Sequence, residues 1–181
     1  MTTPESAPST PLENKFSGED VAAILHEREW QIGEFSLEQS AWCDRAAALL
    51  GPQSTDRAAL ENLLALIFHY DAQKILAQVE THVALSRYAA RDALRELATQ
   101  LLDPAPLTPE RFNAVIDAMK AHLDIRGREL FQTLRLSLAG RPGEGDLDRV
   151  ILLLDPAASA NFSSPVKTAR ARIIEFCSAL D

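Results

Sequence analysis

Apolar residues recur at three- and four-residue intervals along nearly the whole chain after Gly18, the spacing that lines up one face of an α-helix. No sustained alternation of apolar and polar positions rich in Val, Ile, Thr and aromatics breaks that rhythm, so strands are not expected. The predicted fold class is all-α, either one helical bundle or two small packed helical subdomains. Punctuation marks divide the pattern. A first helix over residues 19–32 stops at Gly33; a second starts at Ser36, where Gln39 completes a capping box, and ends at Leu50-Gly51-Pro52. Ser54 or Thr55 caps a third, whose Leu60, Leu63, Leu64, Ile67 and Phe68 form a wide apolar face. Residues 72–101 read as one long helix or two before Asp103-Pro104-Ala105-Pro106 ends them.

Thr108-Pro109-Glu110 supplies a cap, a proline at the first helical position and an acid in the first turn, each favourable at a positive helix end. Another helix covers residues 128–138, stopped by Gly140. Asp146 caps a short one, and Ser164 caps the last, over residues 165–180. The expected organisation is a flexible tail at residues 1–17, where Pro4, Pro8 and Pro11 stand among Ser and Thr, followed by helical subdomains at 18–103 and 107–181.

Charge narrows the choice of partner. The net charge of −8 falls entirely before Pro106, where 16 acidic residues face 8 basic ones; the remainder is balanced. That distribution argues against a nonspecific polyanion binder such as a DNA-coating protein, because such binding scales with the phosphates that Lys and Arg neutralise. A shaped RNA site with a few placed arginines fits it. Without a basic leader or a long apolar run, the reading is cytoplasmic, with no membrane partner. The 2 cysteines, Cys43 and Cys177, lack the spacing of a disulfide framework, a zinc site or a redox pair.

Catalytic signatures are missing: no glycine-rich phosphate cradle, no nucleophile elbow and no pair of zinc-binding histidines on a helix. The expectation is therefore a chain without an active site, cofactor or metal. His69, His82 and Asp71 are too loosely spaced to outweigh a reading as ordinary core or surface residues. Trp30 and Trp42 read as core, with an exposed anchor for a partner protein as the alternative.

A more specific signal lies between Leu107 and Leu154. The text Arg126-Gly127-Arg128-Glu129-Leu130-Phe131-Gln132-Thr133-Leu134-Arg135-Leu136-Ser137-Leu138-Ala139-Gly140-Arg141, followed by Asp146-Leu147-Asp148-Arg149-Val150-Ile151-Leu152-Leu153-Leu154, resembles the anticodon-binding end of bacterial glutamyl-tRNA synthetases. That family carries, in the same order, a Lys/Arg-Gly pair, Leu-Phe, Pro-Leu-Arg, Ala-Leu-Thr-Gly-Arg, a Gly-Pro-Glu-Leu element and a leucine-rich helix. Ala171-Arg172-Ile173-Ile174-Glu175 is similar to its closing helix. The family's proline is here Thr133, its threonine before glycine is Ala139, its Gly-Pro-Glu-Leu is Glu144-Gly145-Asp146-Leu147, and the glycine after the leucine-rich helix is Asp155. The likeness covers about the last seventy-five residues. By contrast, Asp92-Ala93-Leu94-Arg95, the four letters that name another anticodon-binding family, is short enough to arise by chance.

The resemblance implies a non-catalytic domain that binds tRNA at the anticodon arm, beside a separate synthetase catalytic protein. Arg135, Arg141, Arg128 and Arg126 are then the RNA-binding residues, because guanidinium offers a planar fork for phosphates and base edges. The plainer account of each is a solvated arginine on a helix. Single-stranded bases also need stacking partners, for which Phe112, Phe131 and Phe162 are present although apolar enough to be core. The alternative function is a protein–protein interaction module, derived from a synthetase appendage, whose RNA surface has been lost.

Overall fold

The computed structural model describes residues 14–125 and 127–181. Among them are ten α-helices, a 3-10 turn at Gly51–Gln53 and no strand. Helix α1 is Gly18–Glu27, opened by a reciprocal capping box between Ser17 and Asp20. Residues 14–17, read from sequence as the end of a loose tail, are tied down: the Asn14 amide donates to the Ala47 carbonyl at 3.1 Å and Phe16 packs on the core. The rest of that tail lies outside the described residues. α1 also ends five residues earlier than its apolar pattern suggests. Glu29 turns left-handed (φ 57°), and the amides of Trp30 and Gln31 both donate to the Leu25 carbonyl, swinging the Trp30 indole into the core.

Helix α2, Leu37–Leu50, begins with the expected Ser36–Gln39 capping box. α3, Arg57–Phe68, is capped by Asp56 rather than by Ser54 or Thr55, because the Ser54 hydroxyl donates instead to the Leu50 carbonyl at 2.8 Å. Residues 72–101 form three helices: α4 (Ala72–Leu76), α5 (Val79–Leu85) and α6 (Ala90–Gln100). Thr81 stabilises the first break by donating its hydroxyl to the Ile75 carbonyl at 2.6 Å, and a left-handed Ala89 (φ 62°) makes the second. α7 is Pro109–His122, capped by Thr108 as expected, and α8 is Gly127–Ala139. α9, expected to be short and capped by Asp146, runs for 15 residues over Gly145–Ser159 with Asp146 in its first turn. It reads through Asp155-Pro156, although proline lacks the amide a helix interior uses. The Asp155 carboxylate fixes this end by accepting from the amides of Leu107 (2.6 Å) and Ala169 (2.9 Å). α10, Ala169–Leu180, is capped by Thr168, whose hydroxyl accepts from the Ala171 amide at 3.1 Å; Ser164 lies before the helix, its amide donating to the Trp30 carbonyl.

α9 is central, packing against α2, α3, α8 and α10. Buried side chains from both halves of the chain join in one connected cluster. Trp30 stacks on Phe68 (centroids 4.8 Å apart), and Trp42 meets Phe162 edge-on and donates its indole N–H to the Leu153 carbonyl at 3.1 Å. Both tryptophans are thus core. At the far end of the cluster Arg172 is fully buried and donates to the carbonyls of Leu66, Ile67, Leu138 and Lys167, its guanidinium lying 4.6 Å from the centre of the Tyr70 ring.

Burial gives the fold an alkaline weakness. It pushes the Cys43 thiol up to about 12, aided by neighbouring Asp44, and raises the Tyr70 phenol above its ordinary range. Both groups hold their protons in the folded state at pH values where the unfolded chain releases them. The stability they contribute is therefore present below their unfolded pKa values, near 8.5 and 10, and is lost as pH rises toward the folded ones. Burial lowers Arg172 to about 10, which acts in the opposite sense only above that pH. Thermal unfolding followed by circular dichroism is expected to show a falling midpoint from about pH 8.5 to 10, and Cys43→Val to flatten that fall.

Candidate nucleic-acid interface

The segment from Leu130 to Arg141 is helical to Ala139, with Leu130, Leu134 and Leu138 buried in the core. Gly140 then turns left-handed (φ 93°), a conformation that favours glycine, and the chain passes through Arg141-Pro142-Gly143-Glu144 into α9. Arg135 locks that loop. Its Nε and Nη2 grip the two oxygens of Asp148 at 2.7 and 2.9 Å, and Nη1 donates to the Gly143 carbonyl at 2.7 Å. The guanidinium also lies 4.9 Å from the Phe131 ring centre, and the Arg135 side chain is only 12% exposed. Hydrogen bonding to Asp148 raises its pKa further, so it is a fixed cation. The geometry gives Arg135 a structural bond to the loop in place of an open face for RNA.

Two neighbouring depressions flank this locked loop and share Glu80 and Pro142. One, of about 560 Å³, is bordered by Gln53, Arg141, Arg149 and residues 143–147. The other, of about 330 Å³, runs between α5 and α8, with Val79, Val83 and Arg87 on one side and Arg128 and Gln132 on the other. Arg141 and Arg128 are exposed, and neither joins an ion pair among the described residues. Arg126 lies outside the described residues. The rim is electrically mixed, since Glu80, Glu129, Glu144 and Asp146 stand beside Arg87, Arg128, Arg141 and Arg149. Such a rim suits a ligand with hydrogen-bonding edges as well as phosphates.

Residues 17–161 match the anticodon-binding domain family. The chain belongs to that family. Domains of this family occur in aminoacyl-tRNA synthetases, where an anticodon-binding domain alone is non-catalytic. No curated protein and no solved structure compared with the domain matches it. The matched span takes in α1 to α6 as well as the later helices, so it is wider than the likeness legible from Leu107 onward.

The sequence reading named Arg128, Arg135 and Arg141 around this loop, and Arg126 outside the described residues; it did not name Arg87 or Arg149. Nor did it name Tyr88, which is 84% exposed and the only exposed aromatic among the described residues. Phe112 and Phe162 are buried, and Phe131 is half-buried beneath Arg135 and Lys120. Residues 86–89 contain neither Gly nor Pro, so the turn that exposes Tyr88 leaves no mark in the apolar pattern. His69 accepts the Trp30 indole N–H at 3.2 Å, and no group of three or more potential metal ligands occurs among the described residues. No helix among the described residues is long and apolar enough to cross a membrane.

Proposed function

We propose that this domain binds tRNA through the anticodon arm, with glutamate-type tRNA as its substrate and a separate synthetase catalytic protein supplying the chemistry. The observation that carries the reading is the family match over residues 17–161, together with exposed Arg128 and Arg141 on either side of one rigid loop. Arg141, with Arg149 beside it, contacts phosphates at the larger depression. Arg128 and Arg87 do so at the groove between α5 and α8. Arg135 positions the loop that carries Arg141. Arg126, next to Arg128 in the chain, remains a proposed contact from the resemblance alone. The glutamate assignment rests on the order of Leu130-Phe131, Leu134-Arg135 and Gly140-Arg141.

A mixed rim predicts modest, salt-sensitive affinity. Two to four neutralised phosphates correspond to a slope of log K against log salt of roughly −1.5 to −3, so raising salt from about 50 to 200 mM weakens binding roughly 8- to 60-fold. An electrophoretic shift with total tRNA at those two concentrations is expected to show this loss for the parent. The Arg128→Ala, Arg141→Ala double variant should lose about two units of neutralised charge and flatten the slope by roughly 1.5. A parent that retains no tRNA at low salt refutes the reading.

That outcome would favour the second one, a protein-docking module. Ile32 and Leu37 are exposed aliphatic residues set among Glu29, Glu34 and Glu38, a surface whose charge suits a basic partner rather than RNA.

A further inference from the structure

Two aliphatic side chains at the turn between α1 and α2 lie bare. Ile32 is 69% and Leu37 92% exposed, the latter more than any other large apolar residue among those described. Of the residues between them only Phe35, set against His26, is even half-buried. The turn is nevertheless held stiffly. Gln31, itself buried, donates through Nε2 to the carbonyls of Ile32 and Glu34 (both 3.3 Å) and accepts at Oε1 from the amide and hydroxyl of Ser163 (3.0 and 3.2 Å). The Ser163 oxygen in turn accepts from the Ile32 amide at 2.9 Å, and the Gln39 amide group, donating to the carbonyls of Ala160 and Asn161, ties the start of α2 to the same stretch. A surface segment clamped this way loses little further freedom when a partner closes over it, the condition under which a small apolar contact yields affinity.

Charge selects the partner. Glu29, Glu34 and Glu38 are exposed on this segment, and none of them joins an ion pair among the described residues. Arg28, the cation next to them in the chain, is engaged by Glu61, and Arg57 by Glu27. Arg45 follows about two helical turns after Leu37. Unpaired carboxylates beside two aliphatic groups repel phosphates, and they repel a second copy of the same turn, but they attract lysine and arginine side chains. The other exposed aliphatic strip, Val79 and Val83, has Arg87 and Arg128 beside it and lacks that bias.

We infer that the turn between α1 and α2 is a docking site for a basic protein segment, whose lysine or arginine side chains meet Glu29, Glu34 and Glu38 while its aliphatic face covers Ile32 and Leu37. This rests on the acidic surface of the second reading and makes it an additional site instead of a substitute for RNA binding. It shares no residue with the two depressions beside the Gly140–Glu144 turn. The domain can therefore hold a protein at one place and tRNA at the other.

The test is fluorescence anisotropy of the full chain with a labelled helical peptide carrying leucine on one face and lysine on the other. Two controls accompany it, one with glutamate in place of lysine and one with alanine in place of leucine. The parent is expected to bind the first peptide about tenfold more tightly than either control. Ile32→Ser with Leu37→Ser should weaken it about tenfold or more by removing the aliphatic surface that the peptide covers, and Glu34→Lys with Glu38→Lys should do the same by reversing the charge. Leu102→Ser with Ile174→Ser, exposed aliphatic residues elsewhere, should stay within about twofold. All these side chains are exposed, so the variants should melt with the parent. A parent that binds no peptide, one that binds the glutamate peptide equally well, or binding unchanged by Ile32→Ser with Leu37→Ser overturns the docking site. Self-association of the parent in sedimentation equilibrium, abolished by the same pair of substitutions, would overturn it in favour of a second copy. The tRNA reading is judged separately: Ile32→Ser with Leu37→Ser should retain tRNA as the parent does, and Arg128→Ala with Arg141→Ala should lose it whichever way the peptide result falls.

Discussion

Arg172→Met is expected to destabilise the fold by about 3–5 kcal/mol, which for a chain of this size lowers the thermal midpoint by roughly 6–20 °C. Among the described residues Arg172 forms no ion pair with a carboxylate. Its charge is balanced by the carbonyl ends of two helices: Leu66 and Ile67 near the end of α3, and Leu138 near the end of α8, where the helix dipole is negative. The Tyr70 hydroxyl donates to the Ser137 carbonyl (2.6 Å) and also lies within reach of the Arg172 carbonyl (3.1 Å), so one ring closes the same junction. Methionine fills the space but leaves several buried carbonyls without donors, each costing about 1–3 kcal/mol unless the helix ends move apart to admit water. Arg172→Lys should recover only part of the loss, because a compact ammonium cannot span carbonyls arranged for a planar fork. A melt of Arg172→Met within a few degrees of the parent would mean that the junction is held by its apolar contacts alone.

Arg135→Ala is the second large effect, expected to cost about 2 kcal/mol of stability and to weaken tRNA binding although Arg135 offers RNA no open face. Removing it leaves the half-buried Asp148 carboxylate unpaired and releases the Gly143 carbonyl, so the loop bearing Arg141 loses its anchor. A phosphate contact and a positioning residue are separated by changing the partner. If Arg135 held a phosphate, Asp148→Ala would free the cation and strengthen binding. If it holds the loop, Asp148→Ala weakens binding much as Arg135→Ala does, and the double variant is no worse than either single one. Stronger binding by Asp148→Ala would restore Arg135 to the RNA-contacting set.

The contrast between these two arginines and Arg141 marks what can be read from a chain and what cannot. Local chemistry was legible: the Ser36–Gln39 box, the Thr108-Pro109 start and the Gly140 stop all act within a few residues, and all are in the structure. Long-range competition was not. Ser54 was a plausible cap until the Leu50 carbonyl took its hydroxyl, and Ser164 was another, but its amide is tied to the Trp30 carbonyl in a segment that turns helical only after Thr168. Arg135 and Asp148 are thirteen positions apart across a turn, and nothing in their spacing says that they meet. Arg172 has the pattern of a surface arginine on an amphipathic helix, yet is among the most buried residues. The Asp155 that departs from the related glycine pins the start of α10 and Leu107 with one carboxylate, a tertiary use with no local signature. Breaks at residues 77–78 and 86–89 carry no Gly or Pro, so the turn that exposes Tyr88 is invisible to pattern. The all-α class survives all of this because it depends on the apolar period alone.

On the proposed reading, the paired depressions beside the Gly140–Glu144 turn receive the anticodon arm of a tRNA. Hydroxyl-radical footprinting of glutamate tRNA with the full chain is the decisive experiment. Protection confined to the anticodon loop and its adjoining stem, and lost with Arg128→Ala, Arg141→Ala, is the predicted result. Protection centred on the acceptor stem, or a cleavage pattern unchanged by saturating protein, would contradict it.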